Sequence, residues 1–415
     1  MNMTQQTNLN QDDSLIGLAH LMRMAISGVD LAPLGTQLIA RAGADPRTAS
    51  ANALMDLSTV LQLRGDRDLA MDIQSQALAI QQLYSPPMCR SLVDRSTAVL
   101  KLLAIMGPGD LMANSPIELL LEDTDVALDI VYVTHDLDLP EVLPEHDVLF
   151  IAIAESKENI PLLNKIEKAI ASWPRPVLNR PERIARLSRD NNCALLKSVP
   201  GLDMPTTVRI GRTWLEQIGR SELLLSAVLD DGDFPVIVRP VDSHAGKELE
   251  KLNDAGAIAD YLNGTTNSEF YISRFVDYRG LDGQFRKYRI VLIDGHPFVC
   301  HMGISEHWMI HYLNAGMAES AEKRDEEARF MADFDANFAL RHADAFRAIY
   351  ERVGLDYVGI DCAETDEGKL LIFEVDSCMI VHAVDSIDIF PYKQPQMHKV
   401  FSAFRLMLIR AAHKI

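Results

Sequence analysis

Hydrophobic positions along this chain change period twice. From residue 14 to about 93 they recur at helical spacing with no strand-like run. Between residues 98 and 180 short apolar runs (99–105, 127–133 and 147–154) alternate with helical segments such as 160–173. Such alternation predicts a small parallel sheet with crossover helices. Beyond residue 180, strands dominate. Residues 236–238 and 269–278 are apolar runs, and 285–293 with 296–301 flank an Asp294-Gly295 turn, a strong hairpin signal. Residues 318–329 and 338–353 read as helices, and a last hairpin pairs 357–363 with 369–376 across a turn at 365–368.

Within the first region, residues 51–84 carry small residues at Ser58, Ala70 and Ala77, with a turn at Gly65-Asp66. Two antiparallel helices in close approach are expected. The segment resembles a tetratricopeptide repeat, with Gln74 and Gln82 off its usual pattern. One repeat cannot bury its face alone, so helices from 15–42 and 87–93 are expected to stack on it. The region is read either as a peptide-binding surface or as a bundle that stiffens the rest.

At 415 residues the chain exceeds a single core. A formal net charge of −19 argues against nucleic acid or an anionic membrane surface as partner. Cys89, Cys193, Cys300, Cys362 and Cys378 show no metal or redox spacing and fit a reducing, cytoplasmic compartment. Residues 1–13 are polar, lack the regions of a signal peptide and are expected to be disordered. The next apolar stretch is broken by His20 and Arg23, so no membrane span is expected.

The chemistry concentrates in the last hairpin. Period-2 alternation sets Asp361, Glu374 and Asp376 on one face, and Leu371, Phe373 and Val375 on the other. Three carboxylates converging between apolar strands repel unless a cation joins them, and oxygen ligands suit Mg²⁺. The residues alone leave open a solvent-facing acidic edge. Removing Asp361 or Glu374 is expected to relieve repulsion and leave the melting temperature level or higher.

Gly-Ile-Asp361 followed by Phe-Glu374-Val-Asp376 resembles the metal-binding strands of the ATP-grasp superfamily, in its glutathione-synthetase and ribosomal-protein glutamate-ligase branch. The resemblance runs by element order from about residue 98 to the C-terminus. It implies an α/β ATP-grasp fold with a preceding small parallel domain (98–180), a nucleotide-binding and catalytic domain (181–415) and an N-terminal helical region (14–97). It further implies ATP and Mg²⁺, with Asp361, Glu374 and Asp376 as ligands; Asp376 stands where that family usually has Asn. A connecting helix within 180–205 brings Arg189 to the phosphates. Arg239 occupies the place of a lysine that contacts nucleotide, and Ser243, His244, Gly246 and Lys247 form a phosphate loop poorer in glycine than usual. Backbone groups at Arg274, Phe275 and Val276 would read adenine, and Asp277 the ribose. Arg289 matches the arginine that steadies the transferring phosphoryl.

After Asp376 the chain runs Ser-Cys-Met-Ile-Val-His382 instead of the family's Pro-Gly loop, which leaves the acceptor undefined and makes His382 a candidate for acceptor contact or acid/base work. His301, His307 and His311 lie close together, with 307 and 311 on one helical face, and at least one is expected to face the substrate. The implied activity is a carboxylate–amine (or thiol) ligase acting on a small-molecule or peptide substrate, with a homodimer compatible. A phosphotransferase, or a nucleotide-binding scaffold without turnover, are the alternatives.

Overall fold

The computed structural model describes residues 13–43, 49–88, 95–243 and 246–413. The polar tail at 1–12, His244 and most of the helix expected at 87–93 lie outside them. The chain is a mixed α/β protein with three sheets.

Four helices open it: Leu18–Ile26, Ala32–Ala42, Ala51–Leu63 and Arg67–Ile80. The third starts where Ser50 Oγ accepts the Ala53 amide at 3.0 Å, an N-cap. Ser58, Ala70 and Ala77 are buried where the third and fourth helices meet, and Ser58 Oγ donates to the Ala70 carbonyl at 2.8 Å. The expectation of an all-helical region fails at its end. Leu83–Tyr84 is a short strand paired antiparallel with Val126–Tyr132. Two residues are too few to give a period; only the neighbouring edge makes them a strand.

That edge belongs to a five-stranded sheet whose other members, Val126–Tyr132, Leu100–Met106, Val148–Ile151 and Val177–Leu178, run parallel in that spatial order. A four-stranded antiparallel sheet follows, ordered Thr207–Gly211, Glu269–Arg274, Val236–Pro240, Glu250–Leu252. Helices Arg212–Gly219 and Ala255–Asn263 cover it around a core of its own. The third sheet orders His296–Ser305, Phe285–Ile293, Tyr357–Glu364, Leu370–Asp376 and Leu202–Asp203.

The connecting helix expected within 180–205 is two short ones, Pro181–Ile184 and Arg189–Leu196, separated by residues 185–188. The stretch 306–311 is irregular up to a single turn at Tyr312–Asn314, so His307 and His311 do not share a helical face. The helix expected over 338–353 is divided at His342.

The N-terminal helices are not a separate bundle. Leu21, Leu38 and Val60 share one core with Leu102 and Phe150 of the first sheet and with Phe401, Phe404 and Met407 of the final helix, Lys393–Ala412. Burying these side chains only in the joined state ties the helices' stability to the rest of the chain.

Candidate functional site

Between the four-stranded sheet and the third sheet lies a cavity of about 510 Å³. One wall is Ile237, Arg239, Tyr271 and Ser273; the other is Lys287, Arg289, Asp361, Leu371 and Glu374.

Strand pairing builds the second wall. Arg289 lies directly across from His301 on one side and from Asp361 on the other, and Asp361 from Glu374. Directly opposed residues share a face, so these four side chains form one row across four adjacent strands. Beyond Glu374 the register shifts: Cys362 pairs with Ile372 and Phe373 is left as an extra residue, a β-bulge. An extra residue inverts side-chain parity. Leu371 therefore lies on the carboxylate face, opposite Ala363, and not with Phe373 as alternation predicts.

The three carboxylates have different partners. Asp361, 1% exposed, receives Arg289 Nε at 2.8 Å and Nη2 at 3.0 Å, with Lys287 Nζ at 2.6 Å. Burial alone would push its carboxyl up; the two cations hold it well below the usual carboxylate range. Glu374 pairs with Arg189, whose Nη1 also donates to the Phe373 carbonyl at 3.1 Å. Burial opposes ionisation of Glu374 too, but Arg189 and Arg239 lower its carboxyl. Asp376 has no ion-pair partner among the described residues and accepts only the Cys378 amide at 3.0 Å. Burial, then the Glu374 charge, pushes its carboxyl up to about 6. The repulsion expected among these acids is relieved by side-chain cations at two of the three positions.

For the Mg²⁺ that the resemblance implies, the donor set fits in part. Glu374 and Asp376 are oxygen donors two positions apart on one face, and a divalent cation would offset the burial and charge crowding that raise the Asp376 carboxyl. Both Asp361 oxygens are already taken.

The expected nucleotide residues divide as well. Arg189 and Arg239 line the cavity, with Gly246. Arg239 is 9% exposed; its Nε donates to Ser243 Oγ at 3.0 Å, and its Nη2 bonds the Ser243 carbonyl. Burial, then the nearby Arg189 charge, lowers it to about 10. Ser243 thus positions Arg239 and does not itself line the cavity, and Lys247 is exposed outside it. Arg274, Phe275 and Val276 line the cavity. The Phe275 amide is taken by the Pro235 carbonyl at 3.2 Å, and Arg274 by Asp203 at 3.0 Å. Asp277 is exposed, paired with Arg279 at 3.0 Å, and outside the lining.

His301, His311 and His382 line the cavity and His307 does not. Burial, then the Arg289 charge, holds His301 well below its ordinary value. Burial also lowers His382, which is therefore neutral at physiological pH. Its Nδ1 accepts the Val384 amide at 3.4 Å, which leaves the proton on Nε2. The ring as it stands offers a donor and not a base.

The sequence reading passed over Lys287, Lys393 and Asp385. Lys287 had a signal, since it alternates with Arg289 on one strand face. Lys393 had none. Its ammonium, 3% exposed, reaches Asp385 at 3.1 Å and lies 4.0 Å from the centre of the Tyr312 ring. In all, six cationic side chains (Arg189, Arg239, Arg274, Lys287, Arg289, Lys393) meet four carboxylates (Asp361, Glu374, Asp376, Asp385) in this cavity. An acidic chain has assembled a locally cationic pocket, the electrostatics of an anion site.

No family model matches the chain, and no curated protein does. Among solved structures it is similar to D-alanine–D-alanine ligase from Bacillus anthracis complexed with ATP, at 13% identity, covering 76% of this chain and 97% of that one, with a TM-score of 0.45. It is similar to the VanG D-Ala:D-Ser ligase from Enterococcus faecalis at 14% identity, over 75% and 99% of the two chains, TM-score 0.44. A RimK domain ATP-grasp protein from Sphaerobacter thermophilus gives 15%, 74% and 99%, and 0.40.

Proposed function

We propose that this chain is an ATP-dependent ligase that activates a carboxylate as an acyl phosphate and transfers it to an amine or thiol. Arg239 carries the reading. It is a buried cation facing a cavity, with no carboxylate bonded to it among the described residues. A charge taken out of water without a counter-ion costs several kcal/mol. A nucleotide polyphosphate supplies the missing anion and would also meet Arg189, while Ile237, Phe275 and Leu371 offer apolar walls to a base.

In this reading Arg289, fixed by two bonds to Asp361, needs no reorganisation to stabilise charge on a transferring phosphoryl group. Lys287 adds a second fixed cation at the same carboxylate. Glu374 and Asp376 would hold Mg²⁺, which neutralises phosphate charge when bound. His382 donates from Nε2 to the acceptor or the substrate carboxylate. ATP and reduced cysteines suit the cytoplasm.

The test is isotopic. Carboxylate–amine pairs are screened for release of ADP and phosphate, and the active carboxylate is then labelled with ¹⁸O. One labelled oxygen per ligation should appear in inorganic phosphate. Unlabelled phosphate beside a confirmed amide product rules out the acyl-phosphate route.

A further inference from the structure

The cavity extends past the cationic row to an end that the nucleotide reading leaves unused. That end is walled by Met22 and Ile26 of the first helix, Leu63 of the third, and Met112, Ile380 and Val381. No charged side chain of the N-terminal helices joins the lining.

The helices are fixed there, not merely nearby. Ala19 and Met22 form a small core with Leu119 and Val384, against which Leu18, Leu63 and Ile380 pack. Ile380 and Val384 belong to the segment after Asp376, which carries His382. Arg23 pairs with the buried Glu122, and the Ala19 amide donates to Glu118 Oε2 at 3.4 Å. The helical region thus supports the segment beside the reacting groups and supplies part of the substrate wall.

Exposed apolar side chains join the lining as well. Ile26 is 48%, Met309 40% and Leu313 85% exposed, and all three line the cavity. Large apolar side chains left in water gain by being covered. Apolar walls and fixed cations meet at Ile380, whose carbonyl accepts Arg289 Nη1 at 3.2 Å, and this junction suits an amphipathic occupant.

We infer that the substrate activated here is a carboxylic acid bearing an apolar side chain, and that the N-terminal helices set this preference through Met22, Ile26 and Leu63. The acid's carboxylate faces Arg289 and Lys287, and its side chain lies against the helices. This rests on the ligase reading above and adds the substrate class to it.

Calorimetry on the full chain tests it without requiring turnover. The protein is first titrated with a non-hydrolysable ATP analogue and Mg²⁺, then with N-acetylglycine, N-acetylleucine and N-acetylglutamate in turn. N-acetylleucine should bind at least tenfold tighter than the other two, as expected of a pocket that buries several methylenes. Ile26→Asp, at a half-exposed position where the fold tolerates a charge, should remove that preference and leave analogue binding unchanged; Leu63→Asp should act alike. If the analogue itself does not bind, the ligase reading fails. If it binds but glycine or glutamate derivatives bind as tightly as the leucine one, or no acid binds, the inference is overturned and the nucleotide site stands. Full preference retained in Ile26→Asp would overturn the assignment to the helices.

Discussion

Replacing Asp361 by Asn removes one charge from a site where three acids sit close together, and repulsion alone would make the change stabilising. The observed partners reverse the sign. Asp361 is 1% exposed and bonded to Arg289 at 2.8 and 3.0 Å and to Lys287 at 2.6 Å. Neutralising it leaves two cations facing each other in a buried pocket, and breaking a buried pair from one side costs about 3–5 kcal/mol. Its neighbours behave differently. Glu374 is bonded to one arginine, Arg189, with Arg239 acting at longer range, and both members of the pair are partly exposed (29% and 20%), so Glu374→Gln should cost about 1 kcal/mol or less. Asp376 is raised from 3.8 to about 6 by burial and Glu374. Roughly two pKa units correspond to a penalty of about 3 kcal/mol at pH 8 in the metal-free protein, so Asp376→Asn should stabilise it. Urea unfolding of the three variants in chelator at pH 8 reads the order directly. The pH dependence checks the signs. The Asp361 contribution comes from a depressed carboxyl, so it is present above pH 3.8 and lost as pH falls below that. The Asp376 penalty comes from a raised carboxyl. It is full above pH 6 and gone below about 3.8, so the advantage of Asp376→Asn should fade across that window. An Asp361→Asn protein as stable as the parent at pH 8 would refute the reasoning.

Arg239→Ala should weaken binding of the Mg²⁺–ATP analogue roughly 10- to 100-fold, the worth of a charge-assisted bond, with little change in the melting temperature of the free protein, since no carboxylate is bonded to Arg239 and the relief of no longer burying its charge offsets the lost attraction to Glu374; calorimetry and thermal melting check both halves. A second, smaller cavity beneath the first helix holds Glu118 and Asp56, raised by burial to about 7 and about 6. Raised carboxyls favour the folded state at low pH, so their contribution should be lost as pH climbs from about 3.8 to 6 for Asp56 and from about 4.5 to 7 for Glu118. Glu118→Gln should raise stability at pH 8 by up to about 3 kcal/mol and have little effect at pH 4.5, measured by urea unfolding. Deleting residues 1–84 exposes the core shared with Phe150 and Phe404. The truncated chain should bind a hydrophobic dye and lose its cooperative melt; a cooperative melt with intact ATP hydrolysis would show the helices to be an independent module.

Much of the framework was written locally. The Asp294-Gly295 turn and the alternation of Arg286, Lys287, Tyr288 and Arg289 give the 285–305 hairpin and its polar face, because turn geometry and side-chain parity are set by nearest neighbours. In the last hairpin the register that starts at the turn, with Glu364 opposite Leu370, would set Asp361 against Phe373; a bulge brings Glu374 opposite Asp361 instead. Parity failed at Phe373, where a bulge absorbs one residue and turns Leu371 to the cavity; nothing in the local pattern marks which residue will be extra. The sequence could count acids and bases but not pair them. Arg289 reaches Asp361 across 72 positions and Arg189 reaches Glu374 across 185, so the charge balance that decides the sign of each mutation exists only in the assembled sheets. The role of the first helix is the extreme case. Met22 and Leu63 read as ordinary apolar positions of a helical region. Only packing against Val384 and Ile380, more than 300 residues away, makes them a wall of the cavity. Period is a property of a segment, and it fixes what a side chain can bury. What that side chain meets is settled by contacts between segments, which no segment encodes alone.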